Sequence, residues 1–393
     1  MLFRSDPVQL GDQFKAKITA KYYFGAPVTD AKVKYKVLRT VNESRWYPVF
    51  GWDWLYGSGY WWFCYDYPWY PGWYEWGYRR PRQEYWWYAN WSPREQPEVV
   101  AEGEATINAN GEYEIDIDSS LAKTLYGDKD HSYEISAEIT DKSRRTITGS
   151  GKVLVSRKPF QVNVWLDRGY YRSGDTIQAS FRAARLDGKP VPGKANVKLL
   201  KISYKNGKPV ENVDSSWDID LNNEGTAQLQ IKAAQAGQYR LSCDVSDSKG
   251  HLISGGYVFV IQGAGFKSND FRFNDIEIIA DKQEYKPGEK VKLMINTNRS
   301  GGTVLLFTRP TNGVYLKPEI IRLDGKSIVK EIDVVQKDMP NFFIEAITIS
   351  DANVHTAVKM IAVPPEKRVF NVSLTPSNPE KRYKPGEDRK SVV

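Results

Sequence analysis

The sequence predicts an all-β chain built from tandem antiparallel β-sandwiches of the immunoglobulin or fibronectin kind. Three observations predict it. Apolar and polar side chains alternate strictly with a period of two, turn residues interrupt the alternation about every 8 to 12 positions, and three turn signatures return in the same order at about 100-residue spacing. At 393 residues the chain is too long for one core and suits about three domains of the usual size.

The alternation is clearest where Ala31, Val33, Tyr35 and Val37 are set against Lys32, Lys34 and Lys36, which reads as a half-buried strand. The same phase returns in Tyr113, Ile115, Ile117; Tyr133, Ile135, Ala137, Ile139; and Phe160, Val162, Val164, Leu166. It continues in Ile177, Ala179, Phe181; Ala227, Leu229, Ile231; and Val291, Leu293, Ile295. A short turn near Ser119 to Tyr126 is the helix candidate.

The first signature is a turn leading into a strand: Tyr171-Arg-Ser-Gly-Asp, Tyr285-Lys-Pro-Gly-Glu and Tyr383-Lys-Pro-Gly-Glu, spaced 114 and 98 residues apart. Pro sets φ for such a turn and Gly supplies its positive-φ position. The second is Gly25-Ala-Pro-Val and Gly188-Lys-Pro-Val, 163 residues apart. The excess over the period is accounted for by a 46-residue aromatic block, Trp46 to Trp91, inserted in the first repeat. The third is a closing hairpin around Asp141, Asp247 and Asp351.

These signatures divide the chain into sandwiches over 6–157 (with the insertion 46–91), 158–265 and 266–366, and the truncated start of a fourth over 367–387. Residues 1–5 and 388–393 read as sequencing-adaptor artefacts at the two ends of a cut reading frame. A signal peptide or anchor would then lie outside the fragment.

Composition narrows the function. The net charge of +7 comes from Lys and Arg spread among Asp and Glu without a basic stripe, which excludes a nucleic-acid footprint. No run of 18 apolar residues occurs to span a membrane. Cys64 and Cys243, the two cysteines, form neither a disulfide framework nor a zinc pattern; they could pair only if the insertion folded back onto the second sandwich, and Cys243 reads as a small core residue. His131, His251 and His355 fall in separate repeats without a partner carboxylate at catalytic or metal spacing. Asp116 and Asp118 share a strand face and Asp128 and Asp130 share a turn, too few convergent oxygens for calcium. No catalytic residue, cofactor site or metal site is assigned.

The insertion is the candidate interaction surface. It holds 11 Trp, 10 Tyr and 2 Phe, with Trp54, Trp61, Trp62, Trp69, Tyr70, Trp73, Trp76, Trp86 and Trp87 as the residues a partner would meet. Three arrangements satisfy this composition: a long hairpin whose rings pack on each other and on the first sandwich, a contact with another domain or a protease, or a platform for glycan or lipid. Basic residues are thin there (Arg79, Arg80, Arg82), which disfavours stacking on single-stranded nucleic acid.

The ordered motifs resemble the macroglobulin-like domains of the bacterial α2-macroglobulin family. Tyr23-Phe-Gly-Ala-Pro-Val is similar to a turn of the third such domain, and Arg168-Gly-Tyr-Tyr-Arg-Ser-Gly-Asp with Leu186-Asp-Gly-Lys-Pro-Val to the fourth. Asp281 to Glu289, Leu305 to Arg309 and Met339-Pro-Asn-Phe-Phe are similar to the fifth, and Tyr383-Lys-Pro-Gly-Glu to the start of the sixth. The resemblance implies a non-enzymatic, extracytoplasmic scaffold fragment of an endopeptidase inhibitor, one that traps proteases by collapsing after bait cleavage. It places bait and thioester outside this fragment: neither Cys64 nor Cys243 sits in a Cys-Gly-Glu-Gln motif. The implied partners are the remaining domains of the full-length chain and target endopeptidases, with any membrane anchoring through missing termini. The alternative is a tandem adhesin or carbohydrate-binding array using the aromatic insertion.

Overall fold

The computed structural model describes residues 6–42, 46–76, 96–233, 235–310 and 314–365, with backbone alone for 375–376 and 391–392. Residues 1–5 and most of 388–393, the stretch 77–91 of the insertion with Trp86 and Trp87, and most of the proposed fourth sandwich lie outside the described residues.

The strands of the first group are β1 (Val8–Gln9), β2 (Gln13–Thr19), β3 (Lys32–Val41), β4 (Glu98–Thr106), β5 (Glu112–Asp118), β6 (His131–Thr140) and β7 (Thr146–Ser156). A five-stranded sheet in the order β1-β7-β6-β3-β4 faces the pair β2-β5. The alternation acts as anticipated in β3, where Val33 and Val37 are buried while Lys32, Lys34 and Lys36 point to solvent. Two short helices occur in this stretch of the chain, α1 (Asp53–Tyr56) within the insertion and α2 (Ser120–Tyr126) at the helix candidate.

The second group comprises β8 (Gln161–Leu166), β9 (Tyr171–Arg172), β10 (Thr176–Ala184), β11 (Gly193–Lys205), β12 (Lys208–Leu221), β13 (Thr226–Lys232), β14 (Gly237–Ser246) and β15 (Leu252–Gln262). Its sheets run β13-β10-β8 and β12-β11-β14-β15-β9. The third comprises β16 (Glu277–Ala280), β17 (Lys290–Asn296), β18 (Thr303–Thr308), β19 (Glu319–Arg322), β20 (Ser327–Asp333), β21 (Asn341–Ser350) and β22 (Asn353–Ala362), in sheets β16-β17-β20 and β19-β18-β21-β22. Further on, Thr375–Pro376 and Ser391–Val392 pair antiparallel.

The repeated turns fold alike. In the second sandwich Gly174 N–H donates to the Ala233 carbonyl (2.6 Å) and Ala233 N–H returns a bond to Asp175 (2.9 Å); in the third Gly288 donates to Val334 (2.8 Å) and Val334 to Glu289 (2.9 Å). Both glycines have φ of +94°, a conformation that a side chain would strain. The Tyr171 hydroxyl donates to Asp167 (2.6 Å), whose carboxylate also takes Gln178 N–H (2.9 Å). Tyr285, Asp281 and Lys292 repeat this at 2.7 and 2.8 Å. Leu10-Gly11-Asp12 is the same turn in the first sandwich, with Gly11 at φ +102° and donating to Ser119 Oγ (2.8 Å); it has Val8 where the others have Tyr and so escaped the motif.

Replacing Tyr171 or Tyr285 by Phe leaves a half-buried aspartate short of one donor. Each change is expected to lower the stability of its own sandwich by about 1–2 kcal/mol, read as a shift in urea midpoint resolved by tryptophan fluorescence for the second and circular dichroism for the third.

Candidate functional site: the aromatic insertion

The described part of the insertion, 46–76, is not a hairpin. It runs as irregular chain through α1 to a single 3-10 turn over Trp73–Trp76. Gly and Pro at 48, 51, 57, 59, 68, 71 and 72 break every period on which a strand or helix could build. Its rings therefore find partners by tertiary packing, and they find them away from the first sandwich. Tyr60, Trp61, Trp62, Phe63, Cys64, Tyr65, Tyr67, Tyr70, Trp73 and Trp76 share one apolar cluster with the core of the second sandwich, which also takes in Ile279, Met294 and Ala362 of the third. The first sandwich keeps a separate core.

Trp61 and Trp73 are completely buried, Trp62, Tyr70 and Trp76 nearly so, Trp69 is half-buried, and Trp54 is 67% exposed. The rings meet edge to face, as Tyr67 on Trp73 (5.1 Å between centroids), Phe50 on Trp61 (4.7 Å) and Trp62 on Tyr257 of β15 (5.9 Å). Of the three arrangements, packing on the first sandwich gives way to a contact with other domains, the second and third sandwiches. A flat ring platform for sugar would need these faces in solvent, where only Trp54 and Tyr74 among the described rings of the insertion stand exposed.

The polar ends of the rings are as directed as their faces. The Tyr65 hydroxyl donates to the Ile278 carbonyl and accepts the Ile278 N–H, both at 2.7 Å, so it occupies the position of a neighbouring strand on the edge of β16. The Tyr67 hydroxyl donates to the buried Glu277 (3.1 Å), which also takes Asn296 Nδ2 (3.1 Å). Trp69 Nε1 donates to Asn274 (3.0 Å), and the Asn274 amide donates back to the Asp66 carbonyl (3.1 Å). Tyr56 reaches the Pro340 carbonyl (2.6 Å) and Tyr60 the Glu284 carboxylate, both in the third sandwich. Tyr70 binds Glu211 of β12, itself held by Arg240 (2.6 Å), whose guanidinium lies 5.0 Å from the Trp76 ring. The buried Lys359 of β22 donates to the Trp62 carbonyl (3.1 Å). Burial pushes the Tyr56 hydroxyl up to about 12 and holds Tyr60 and Tyr70 still higher, so these hydroxyls stay protonated donors at any physiological pH.

Sequence reasoning missed the residues that receive the insertion. Gly256, in the middle of β15, lies under the Trp76 indole, and a Cβ there would come within 2.8 Å of the ring. Gly169 marks a close approach of the second sandwich to the third, where a Cβ would meet the Ala280 carbonyl at 2.1 Å and Ile279 Cγ2 at 2.6 Å. The signal was present: Gly255-Gly256 interrupts an otherwise apolar strand, a pattern that marks close approach.

The other candidates have local duties. His131 is buried, its Nδ1 3.1 Å from the Arg39 guanidinium and its Nε2 3.2 Å from the Tyr126 carbonyl. His251 binds Asp247 within its own hairpin (2.8 Å), and His355 faces Asp275 at 3.5 Å. Asp116 pairs with Lys15 (3.7 Å), Asp118 accepts Ser120 N–H (2.8 Å) at the start of α2, and Asp130 accepts Arg157 N–H (2.8 Å). Although the insertion does fold onto the second sandwich, Cys64 and Cys243 are both free and buried. Burial, reinforced for Cys64 by Glu277, pushes the Cys64 thiol up and Cys243 to about 12, leaving both unreactive. No described helix is long and apolar enough to cross a membrane.

Residues 276–391 match the family model of the alpha-2-macroglobulin bait region domain, a span that takes in most of the third sandwich and runs on past its end. An alpha-2-macroglobulin homolog of Nostoc sp. is 20% identical over 356 residues, 86% of this chain. The chain spans 17% of that relative's length. Among solved structures, native Escherichia coli alpha-2-macroglobulin is 13% identical, with 95% of this chain and 23% of that one aligned at a TM-score of 0.32. Salmonella alpha-2-macroglobulin reacted with methylamine gives 13%, 95%, 24% and 0.31.

Two outcomes are expected from this packing. Trp61→Ala or Trp73→Ala, although in the chain segment of the first sandwich, should destabilise the second by about 3–5 kcal/mol, whereas Trp54→Ala should stay within about 0.5 kcal/mol; denaturant unfolding of the full chain reads both. Burial lowers the proton affinity of His131 below that of a free imidazole at 6.5. Below that value the unfolded chain binds the extra proton more readily, so stability falls as pH falls through it and levels off above. Melting of the first sandwich between about pH 8 and about pH 5 should show this slope, and His131→Gln should flatten it.

Proposed function

We propose that this chain is a scaffold section of an endopeptidase inhibitor of the α2-macroglobulin family, with the aromatic insertion as the clasp that fixes its second and third sandwiches together. The observation that carries the proposal is the third sandwich: most of it falls within the match to the bait region domain, and the insertion grips it through Tyr56, Tyr60, Tyr65, Tyr67 and Trp69. A segment offered to a protease needs a rigid base, so that cutting it releases motion in the rest of the molecule and not in the base. The clasp supplies that rigidity by burying large rings across two sandwiches at once.

On this reading the protein is an inhibitor and not an enzyme, works outside the cytoplasm, and has endopeptidases as targets. The remaining domains of a longer polypeptide are its structural partners, and the bait segment comes after the third sandwich. The adhesin or carbohydrate-binding alternative draws on exposed rings, and Trp61, Trp62, Tyr70, Trp73 and Trp76 are turned inward.

The test is to express the chain with its flanking coding sequence and incubate it with serine and cysteine endopeptidases. The expected result is one cleavage after residue 365, co-migration of the protease with the cleaved polypeptide on a native gel, and a rise in sedimentation coefficient. Scattered cleavage with free protease would overturn the proposal.

A further inference from the structure

One surface is left unexplained by the clasp. The turn Lys21–Val28 carries three adjacent exposed rings: Tyr23 is fully exposed, Phe24 is 65% exposed, and Tyr22 lies stacked on Phe24 at 5.3 Å with the Phe24 ring also edge-on to Tyr23 at 5.2 Å. Rings ordered against one another in water, on the tip of a turn, contribute nothing to the core of the first sandwich.

The second sandwich shows what such a turn can do. Its equivalent in the second sandwich is Ala184–Val191, and the two share their backbone bonds. Gly25 N–H donates to Tyr22 as Gly188 does to Arg185 (2.9 Å each), and Val28 donates to Ala20 as Val191 does to Ala183 (3.0 Å each). In the second sandwich this turn meets the sandwich before it. Arg185 and Lys189 both hold Asp6, at 2.6 and 2.7 Å, and Arg182 just ahead of the turn lies 4.3 Å from the Trp46 ring. In the second sandwich the position thus touches the predecessor, whereas the corresponding turn of the third, 297–302, pairs Arg299 with Asp351 of its own sandwich.

We infer that Tyr22, Tyr23 and Phe24 dock on the chain-exit end of a β-sandwich that precedes the first in the longer polypeptide. Where the second sandwich uses ion pairs, the first uses rings. The surface they fit is apolar, with oxygen acceptors for the two tyrosine hydroxyls. Carboxylates at its rim would face Lys21, Arg144 and Arg145, which are exposed at the same end because Lys32 pairs with Thr140 and Thr140 with Thr146. The inference rests on reading the chain as part of a longer inhibitor.

Hydroxyl-radical footprinting tests it without a substitution, because trypsin cuts after Lys21 and Lys32 and the peptide 22–32 has no other aromatic residue. Oxidation of that peptide should fall about tenfold when the chain is extended upstream, at every protein concentration, while the exposed Tyr74 keeps its rate. Equal oxidation in the two forms overturns the docking contact. Protection that vanishes on dilution overturns it in favour of a second copy. Protection of the unextended chain by vesicles of equal parts phosphatidylglycerol and phosphatidylcholine overturns it in favour of a lipid surface. An upstream sequence that encodes no β-sandwich removes both the contact and the longer-inhibitor reading, whereas an upstream sandwich beside an unprotected peptide removes the contact alone.

Discussion

The architecture depends on one exchange: a segment belonging by sequence to the first sandwich is buried as part of the core of the second and the edge of the third. A tryptophan buries roughly 150–250 Å² of mostly apolar surface, and both Trp61 and Trp73 are completely enclosed. The facing ends of compact sandwiches are turns and strand termini with polar backbone to satisfy, which limits the apolar surface they can bury against each other. The insertion solves both problems, since its rings fill the crease while its hydroxyls and indoles answer the backbone and carboxylates that line it.

The receiving surface is built to match. Gly256 lets the Trp76 indole lie flat on β15, and Gly169 lets the backbone of the second sandwich reach that of β16. The buried Glu277 takes hydrogen bonds from Tyr67, Asn274 and Asn296, and the buried Lys359 donates to the Trp62 carbonyl and lies over the Phe63 ring. A buried charge deprived of its partners is strongly destabilising. Each such residue therefore makes the third sandwich dependent on the insertion as well as the reverse.

The fold was readable because its signals are local. Period-two alternation marked β3, β6, β8, β10 and β17 in the right phase, and the Tyr-x-x-Gly turns recur because a positive-φ glycine and a buried tyrosine hydroxyl are each hard to replace. The third signature was less uniform than its spacing suggested. Asp141 and Asp247 close their hairpins through side-chain bonds to Arg145 and His251, whereas Asp351 and Ala352 both take positive φ in a tighter turn. The destination of the insertion was not readable. With no periodicity in 46–76, the chain carries no information on which surface its rings will cover, and the complement at Gly169, Gly256 and Asn274 lies more than 90 residues away.

That separation has a consequence for synthesis. Tyr65 leaves the ribosome 213 residues before the strand residue it brackets. At about 5–20 residues per second this is a wait of about 10–40 s. Throughout that interval a run of tryptophans and tyrosines has no crease to occupy, and β16, once made, has an unguarded edge until the hydroxyl arrives. Newborn chains of this protein therefore pass through a period in which they are good substrates for holding chaperones and poor candidates for crowding, and rapid overexpression shortens none of it.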